Sequence, residues 1–360
     1  MDHAGRRARL RAALAAQDLG GTLLVTDLAN IRYLTGYSGS NAVLALGVEP
    51  EDDLLGTDGR YVDQVAMECP DLATVIDRAT WRAVAERVVG DRTGRQVLVE
   101  ASLSVSAADE LRRVGGEPVI VPQLIEQARA VKDADELDVL QRACAITSAA
   151  FVDLAEELRV GQAEVDVARR LEQLFGDHGA EDRAFATIVA TGANSAIPHH
   201  QPGRDRLREG DLLVIDAGAR VAGYHADMTR TYVVGRAPQP WQLEVHDAVR
   251  EAQSSAIGLC RPGVAACEID AAARVPLRAA GLEDRFTHGL GHGVGLVIHE
   301  APGLGARATG SIQADMAFTV EPGAYLPGQG GVRIEDTLVV HDAGPRALTS
   351  GSPELRIVGA

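Results

Sequence analysis

Two spacings of apolar residues alternate along this chain. Short apolar runs at Thr22–Thr26, Asn41–Leu46, Val75–Ile76, Gln96–Glu100 and Pro118–Val121 read as strands. Between them, helical periodicity covers Arg7–Gln17, Trp81–Val89 and Ser106–Arg113, and Ser106 with Asp109 has the spacing of a capping box. Interleaving of this kind predicts an α/β domain over residues 1–125. The segment GYSGSN (Gly36–Asn41) lacks a P-loop Lys and the dinucleotide glycine spacing, so it reads as a plain turn.

A second regime begins near Val131. Leu137, Leu140, Cys144, Phe151, Leu154 and Leu158 recur at helical spacing, with Gly161 placed to stop the helix as a left-handed cap. A helix over Glu164–Phe175 follows, then strands at Ala184–Ala190, Asp211–Ala217 and Asp227–Val234. The order repeats, with helices over Trp241–Leu259 and Val264–Ala280 and strands at Met316–Pro322 and Gly331–Val340. The repeat predicts an internally duplicated α+β domain over residues 131–360, with equivalent strand pairs side by side under a layer of helices.

Composition narrows the function. The 360 residues are 46% hydrophobic and 24% charged, as in folded globular proteins. Lys+Arg number 35 against 51 Asp+Glu, a formal net charge of −16, which argues against a nucleic-acid partner because phosphate binding needs clustered cations. Lys132 is the only lysine; every other basic residue is Arg. The first residues, MDHAGRRARLRAALAAQDLGG, read as an amphipathic helix rather than a signal peptide, and no apolar run approaches a membrane span. Cys69, Cys144, Cys260 and Cys267 form no CxxC pair, so a reducing cytoplasm is the expected location and no membrane is expected as a partner.

The surplus of acids includes four in unusual places. Asp216 ends DLLVIDAGA and Asp227 follows eleven positions later in HADMTRTYVV; Glu321 lies in AFTVEPG and Glu335 fourteen positions on in GVRIEDTLVV. Each pair fits a hairpin-like strand pair, one in each half of the repeat. A carboxylate in an apolar strand needs compensation, because a buried unpaired charge costs several kcal/mol. Arg220, Arg230 and Arg333 are one source; divalent cations shared among the carboxylates are the other. FTHGLGHGVGLVIHE offers His288, His292 and His299 as nitrogen donors, and its glycines argue against a helix. His292, set between glycines that permit close backbone approach, is the favoured ligand. HExxH is absent, because His299-Glu300 is followed by APG.

The motifs DAGARVAGYHADMTRT, HGLGHGVGLVIHE, TVEPG and GVRIEDT resemble those of the pita-bread metallopeptidases, in the prolidase and Xaa-Pro aminopeptidase branch (M24B). RAVKDADELDVLQRA is similar to that family's opening catalytic helix and TGANSAIPHH to its substrate loop. NIRYLTGYSGSNAVLAL and TDGRY resemble its creatinase/prolidase-type accessory domain. The resemblance covers nearly the whole chain and implies a pita-bread (creatinase/aminopeptidase-like) catalytic domain.

The resemblance also implies two divalent metal ions, Mn²⁺ first and Co²⁺ or Zn²⁺ as alternatives. Asp216 would bind one and His292 with Glu321 the other, while Asp227 and Glu335 bridge them. It assigns Glu321 the role of proton shuttle, His299 and His199 catalytic hydrogen bonding, and His288 and Arg333 substrate binding. All five ligand positions are filled, unlike those of creatinases or scaffold-type relatives. The expected activity is metallo-exopeptidase cleavage of an Xaa-Pro bond at the N-terminus of peptides with proline in second position. An Xaa-Pro aminopeptidase is the first expectation; an Xaa-Pro dipeptidase (prolidase) and a non-catalytic scaffold are the alternatives. A homodimer is the family expectation.

Overall fold

The computed structural model describes residues 1–90 and 94–359, so Ala360, the last residue of the expected second domain, lies outside the described residues. The chain divides into two compact units, Met1–Arg129 and Ala130–Ala360.

The first unit is built on strands β1 (Leu23–Val25), β2 (Val43–Leu46), β3 (Leu54–Thr57), β4 (Ala73–Ile76), β5 (Arg95–Glu100) and β6 (Gly116–Val121), in the order β4-β3-β2-β1-β5-β6. The β3–β4, β1–β5 and β5–β6 pairs are parallel and the β1–β2 and β2–β3 pairs antiparallel. Helices α1 (His3–Ala15), α2 (Leu28–Thr35), α3 (Val62–Glu68), α4 (Thr80–Val89), α5 (Val105–Arg113) and α6 (Leu124–Ala130) accompany them. Leu24, Val43, Val84, Val97, Val99 and Leu111 share the core. Ser104, not Ser106, caps α5, accepting the Ala107 N–H at 3.2 Å, because the helix starts one residue earlier than its polar pattern suggests. GYSGSN is a loop whose Gly36, at φ 81°, closes α2 in the left-handed conformation.

In the second unit, α7 (Ala134–Glu157) opens on a capping box of Asp133 and Glu136. It ends before Gly161: Leu158 is already extended, and Gly161, at φ 89°, instead turns the chain toward α8 (Glu164–Asp177). The main sheet holds β7 (Ile188–Thr191), β8 (Leu212–Ala217), β9 (Met228–Val234), β10 (Gly291–Gly293), β11 (Glu300–Leu304), β12 (Ala317–Val320) and β13 (Glu335–His341). Their order is β11-β10-β12-β13-β9-β8-β7, so the repeat is mirrored across the β13–β9 seam. Two further strands, β14 (Gly344–Ala347) and β15 (Arg356–Val358), pair with β13 and β9. Phe151 and Leu154 of α7 and Val167 and Leu171 of α8 pack with Val189, Leu213 and Ile215 of the first half. Helices α9 (Pro240–Leu259) and α10 (Ala266–Ala279) do the same for Phe318, Val320 and Leu338 of the second.

The expected strand Ala184–Ala190 is strand only from Ile188, as β7; a separate two-residue strand, Asp182–Arg183, precedes it in a small sheet with Ala219–Val221 and Tyr224–His225. The expected strand Gly331–Val340 breaks at Ile334. Its first part, Gly330–Arg333, forms a hairpin with Gly323–Leu326, and its second is β13. Among the described residues no helix is long and apolar enough to cross a membrane.

Candidate metal centre

Strand periodicity explains how four acids come together. Leu213 and Ile215 of β8 enter the core under the helices, so Asp216, between Ile215 and Ala217, turns to the opposite face. Thr229 of β9 stands opposite Asp216 on one side and opposite Glu335 of β13 on the other, which places the three in one row across the sheet. Asp227, two residues before Thr229, shares that face. Glu321 follows β12, whose Val320 pairs with Asp336, so the register brings Glu321 level with Glu335.

His292 is delivered by β10. A Cβ at Gly291 would lie 2.1 Å from Thr319 O, at Gly293 2.1 Å from Ala301 O and at Gly295 2.2 Å from Glu300 Oε1. The glycines thus let neighbouring chain press against this segment, and His292 projects into the site. Its Nε2 lies 3.3 Å from Glu321 Oε1 and 3.6 Å from Asp227 Oδ2. Donor atoms of Asp227, His292 and Glu335 all lie within 4.8 Å of one another.

The compensation expected from arginine is partial. Arg220 pairs instead with Glu181 and Asp182, and Arg230 with Asp336. Of the three, Arg333 meets one of the four carboxylates, with Nη2 2.5 Å from Asp216 Oδ2, while Arg230 reaches only the main-chain oxygen of Glu335 at 2.6 Å. Burial and then the charges of Glu335, Asp216 and Glu321 hold the Asp227 carboxyl well above the usual carboxylate range. Burial and then Glu321 and Asp216 do the same to Glu335, and burial pushes Glu321 up to about 8. Oδ1 of Asp216 and Oδ1 of Asp227 each lack a hydrogen-bond partner among the described residues. Burial also pushes the His292 imidazole down to about 4, which leaves it neutral and its lone pair free to bind a cation. Orphaned acceptor atoms, mutually repelling acids and a neutral imidazole are what divalent cations would satisfy, so these residues fit the metal ions that the sequence leads one to expect.

The remaining expected residues line the same cavity of about 510 Å³: His199, His288, His299 and Arg333, together with Phe185, Thr187 and Ile298. The His299 ring packs edge-on against His292 with centroids 4.3 Å apart. His200, the neighbour of His199, is tied to buried Glu164 by a 2.8 Å Nε2–Oε2 contact. Three site residues went unread in the sequence. Tyr325 Oη accepts from Arg333 Nη1 at 2.9 Å and lies 2.9 Å from His288 Nε2. Thr229 donates to Glu335 Oε2 at 2.6 Å, and Thr319 to Glu321 Oε1 at 3.3 Å. For the two threonines the signal is the period of two: Thr229 lies two after Asp227 and Thr319 two before Glu321.

Comparison with known proteins agrees. Residues 138–342 match the family described as Metallopeptidase family M24, and residues 6–131 match the Creatinase/Prolidase N-terminal domain. The chain is 39% identical over 259 residues to a Xaa-Pro dipeptidase of Pyrococcus furiosus, covering 71% of this chain and 74% of that protein. Its structure resembles a Xaa-Pro dipeptidase from Bacillus anthracis (TM-score 0.93, 32% identity, 99% of this chain and 100% of the other). It also resembles an X-Pro aminopeptidase from Thermotoga maritima (TM-score 0.90, 31% identity, 98% and 99%). With a family match over most of its second unit, an accessory-domain match over its first and relatives of this similarity, the chain belongs to metallopeptidase family M24, in the branch that holds the prolidases.

Proposed function

We propose that this metallopeptidase is an Xaa-Pro dipeptidase that uses two divalent cations, Mn²⁺ before Co²⁺ or Zn²⁺. The observation that carries the reading is the convergence of four carboxylates, one neutral imidazole and a buried arginine on one cavity. The names of the B. anthracis and P. furiosus relatives support the dipeptidase over the aminopeptidase that the motifs first suggest. The complete acid and imidazole set speaks against a non-catalytic scaffold.

Asp216, Asp227, His292, Glu321 and Glu335 would hold the ions. The chemistry such ions supply when bound is Lewis acidity toward water and toward the scissile carbonyl. Glu321 takes the proton of the attacking water and delivers it to the leaving nitrogen. His299 and His199 donate hydrogen bonds to the developing oxyanion and to the residue beyond the bond. A bond before proline is a tertiary amide without an N–H, so selection falls to groups that enclose the ring and its carboxyl end. Arg333 and His288, joined through Tyr325, fill that role. Hydrolysis of Ala-Pro and Ala-Pro-Ala by the Mn²⁺-loaded protein tests the reading. Ala-Pro cleaved in clear preference is the expected result; cleavage of the tripeptide alone would replace the reading with the aminopeptidase.

A further inference from the structure

We propose that Lys132, through Glu300, is a positioning residue for His299; the inference rests on the role given to His299 above. Lys and Arg together number 35 and all but Lys132 are Arg, so this one position carries an ammonium where every other such residue carries a guanidinium. That side chain is 0% exposed, and its Nζ lies 2.8 Å from Glu300 Oε1 and 3.3 Å from Ala130 O. Glu300 follows His299 directly, and it begins β11, opposite Gly293.

The Glu300 carboxylate braces the turn that leads into His299. Its Oε2 accepts the Val297 N–H at 3.3 Å, while its Oε1 lies where a Cβ on Gly295 would be, only 2.2 Å away. Within the turn, Gly295 N donates to Val297 O at 3.2 Å. The carboxylate therefore holds the Val297 end of the turn by a hydrogen bond and lies close against Gly295 at the other, and Ile298 and His299 run between that turn and β11. Lys132 supplies the positive charge that keeps the carboxylate in place, since a buried acid that loses its cation costs several kcal/mol.

Lysine suits this place for a geometric reason. An ammonium is a compact point charge at the end of a thin stem, whereas a guanidinium is a planar fork with five donors to satisfy. Where the side chain has no exposed surface, the larger head must displace its neighbours. Elsewhere on the chain Arg and Lys are interchangeable in charge; here the exchange moves Glu300 and with it the turn.

The test is a double-mutant cycle on the Mn²⁺-loaded protein with Ala-Pro. K132R is expected to lower kcat by about tenfold or more with KM within about threefold, because the lost group acts in the transition state. In an H299A background the same exchange should change kcat by less than about twofold, since the partner it positions is gone. K132M should behave like K132R, and adding E300Q to K132M, which removes the stranded charge, should recover part of the lost activity. A K132R protein as active as the parent, or losses that multiply with H299A, would overturn the proposal. A substrate-independent readout separates it from the dipeptidase reading. In protein labelled at histidine and loaded with diamagnetic Zn²⁺, the His299 imidazole resonances, identified by their loss in H299A, should shift or broaden in K132R while those of His178 stay fixed. If the parent cleaves neither peptide the dipeptidase reading falls, and unmoved His299 resonances would then refute the role of Lys132 on their own.

Discussion

In the first unit, Asp53 is held by Arg7 Nε at 3.1 Å, by Arg11 and by Gly47 N–H at 3.0 Å. Glu100 accepts from Thr26 N–H at 2.6 Å, Asp27 N–H at 3.0 Å and Asn30 Nδ2 at 2.6 Å. In the second unit, the equally buried Asp227 and Glu335 face other acids, and among the described residues Oδ1 of Asp216 and of Asp227 meets no donor. Burial alone therefore does not distinguish the two sets. Partners do: acids surrounded by donors are satisfied within the fold, whereas acids that surround one another would need a cation that is not part of the polypeptide.

The largest effect that could break this contrast is D227A. It should reduce Xaa-Pro hydrolysis by a factor on the order of a thousand or more, because metal chemistry dominates the rate. Its melting temperature without added metal should be unchanged or higher, since the variant removes one member of a repelling cluster. Retained hydrolysis would remove Asp227 from the metal site. The opposite behaviour is expected of D53A, which takes a buried carboxylate from Arg11 and leaves Arg7 with Asp71 and Leu34 O: denaturant unfolding should show a loss of about 2 kcal/mol or more. The folded D53A protein should keep its turnover, and a D53A protein of parental stability would erase the contrast from the other side.

A smaller effect concerns pH. In metal-free protein Glu321 titrates near 8 against an ordinary 4.5, so between those values the folded chain keeps a proton that the unfolded chain has released. Its contribution to stability is full below pH 4.5 and is lost as pH rises through about 8. Thermal unfolding in chelator should therefore show a melting temperature that falls across this window, and saturating Mn²⁺ should flatten the slope. Identical slopes with and without metal would mean that Glu321 holds no cation.

Much of the site is legible in sequence because its residues obey the period of the strands. Asp216 interrupts an apolar run, and the spaced glycines around His292 announce close backbone approach. Lys132 and Glu300, 168 positions apart, share no such pattern, and their pairing appears only in three dimensions. In the fold, β3 escaped notice because it is four residues long with Gly56 inside it. That glycine exists for packing, since a Cβ there would lie 2.3 Å from Val84 Cγ2. Helix α2 escaped because eight residues give barely two turns of periodicity; its start is set by Asp27, which caps Asn30 N–H at 3.0 Å. Gly161 was misread as a helix cap because a turn glycine and a cap glycine look alike without the backbone angle of the residues before them.

The mirrored order of the main sheet has a mechanical side. Among the described residues, β9 and β8 share six registered pairs and β12 and β13 share four, whereas the seam between the halves, β9 with β13, has Met228–Asp336 and Thr229–Glu335. Asp227 sits on one side of that seam and Glu335 on the other. A cation held jointly by them would be a rivet as well as a reagent, closing the thinly sewn joint between the two halves. Stripping the metal should then be felt first as faster hydrogen exchange at the amides of the seam, well before either half loosens.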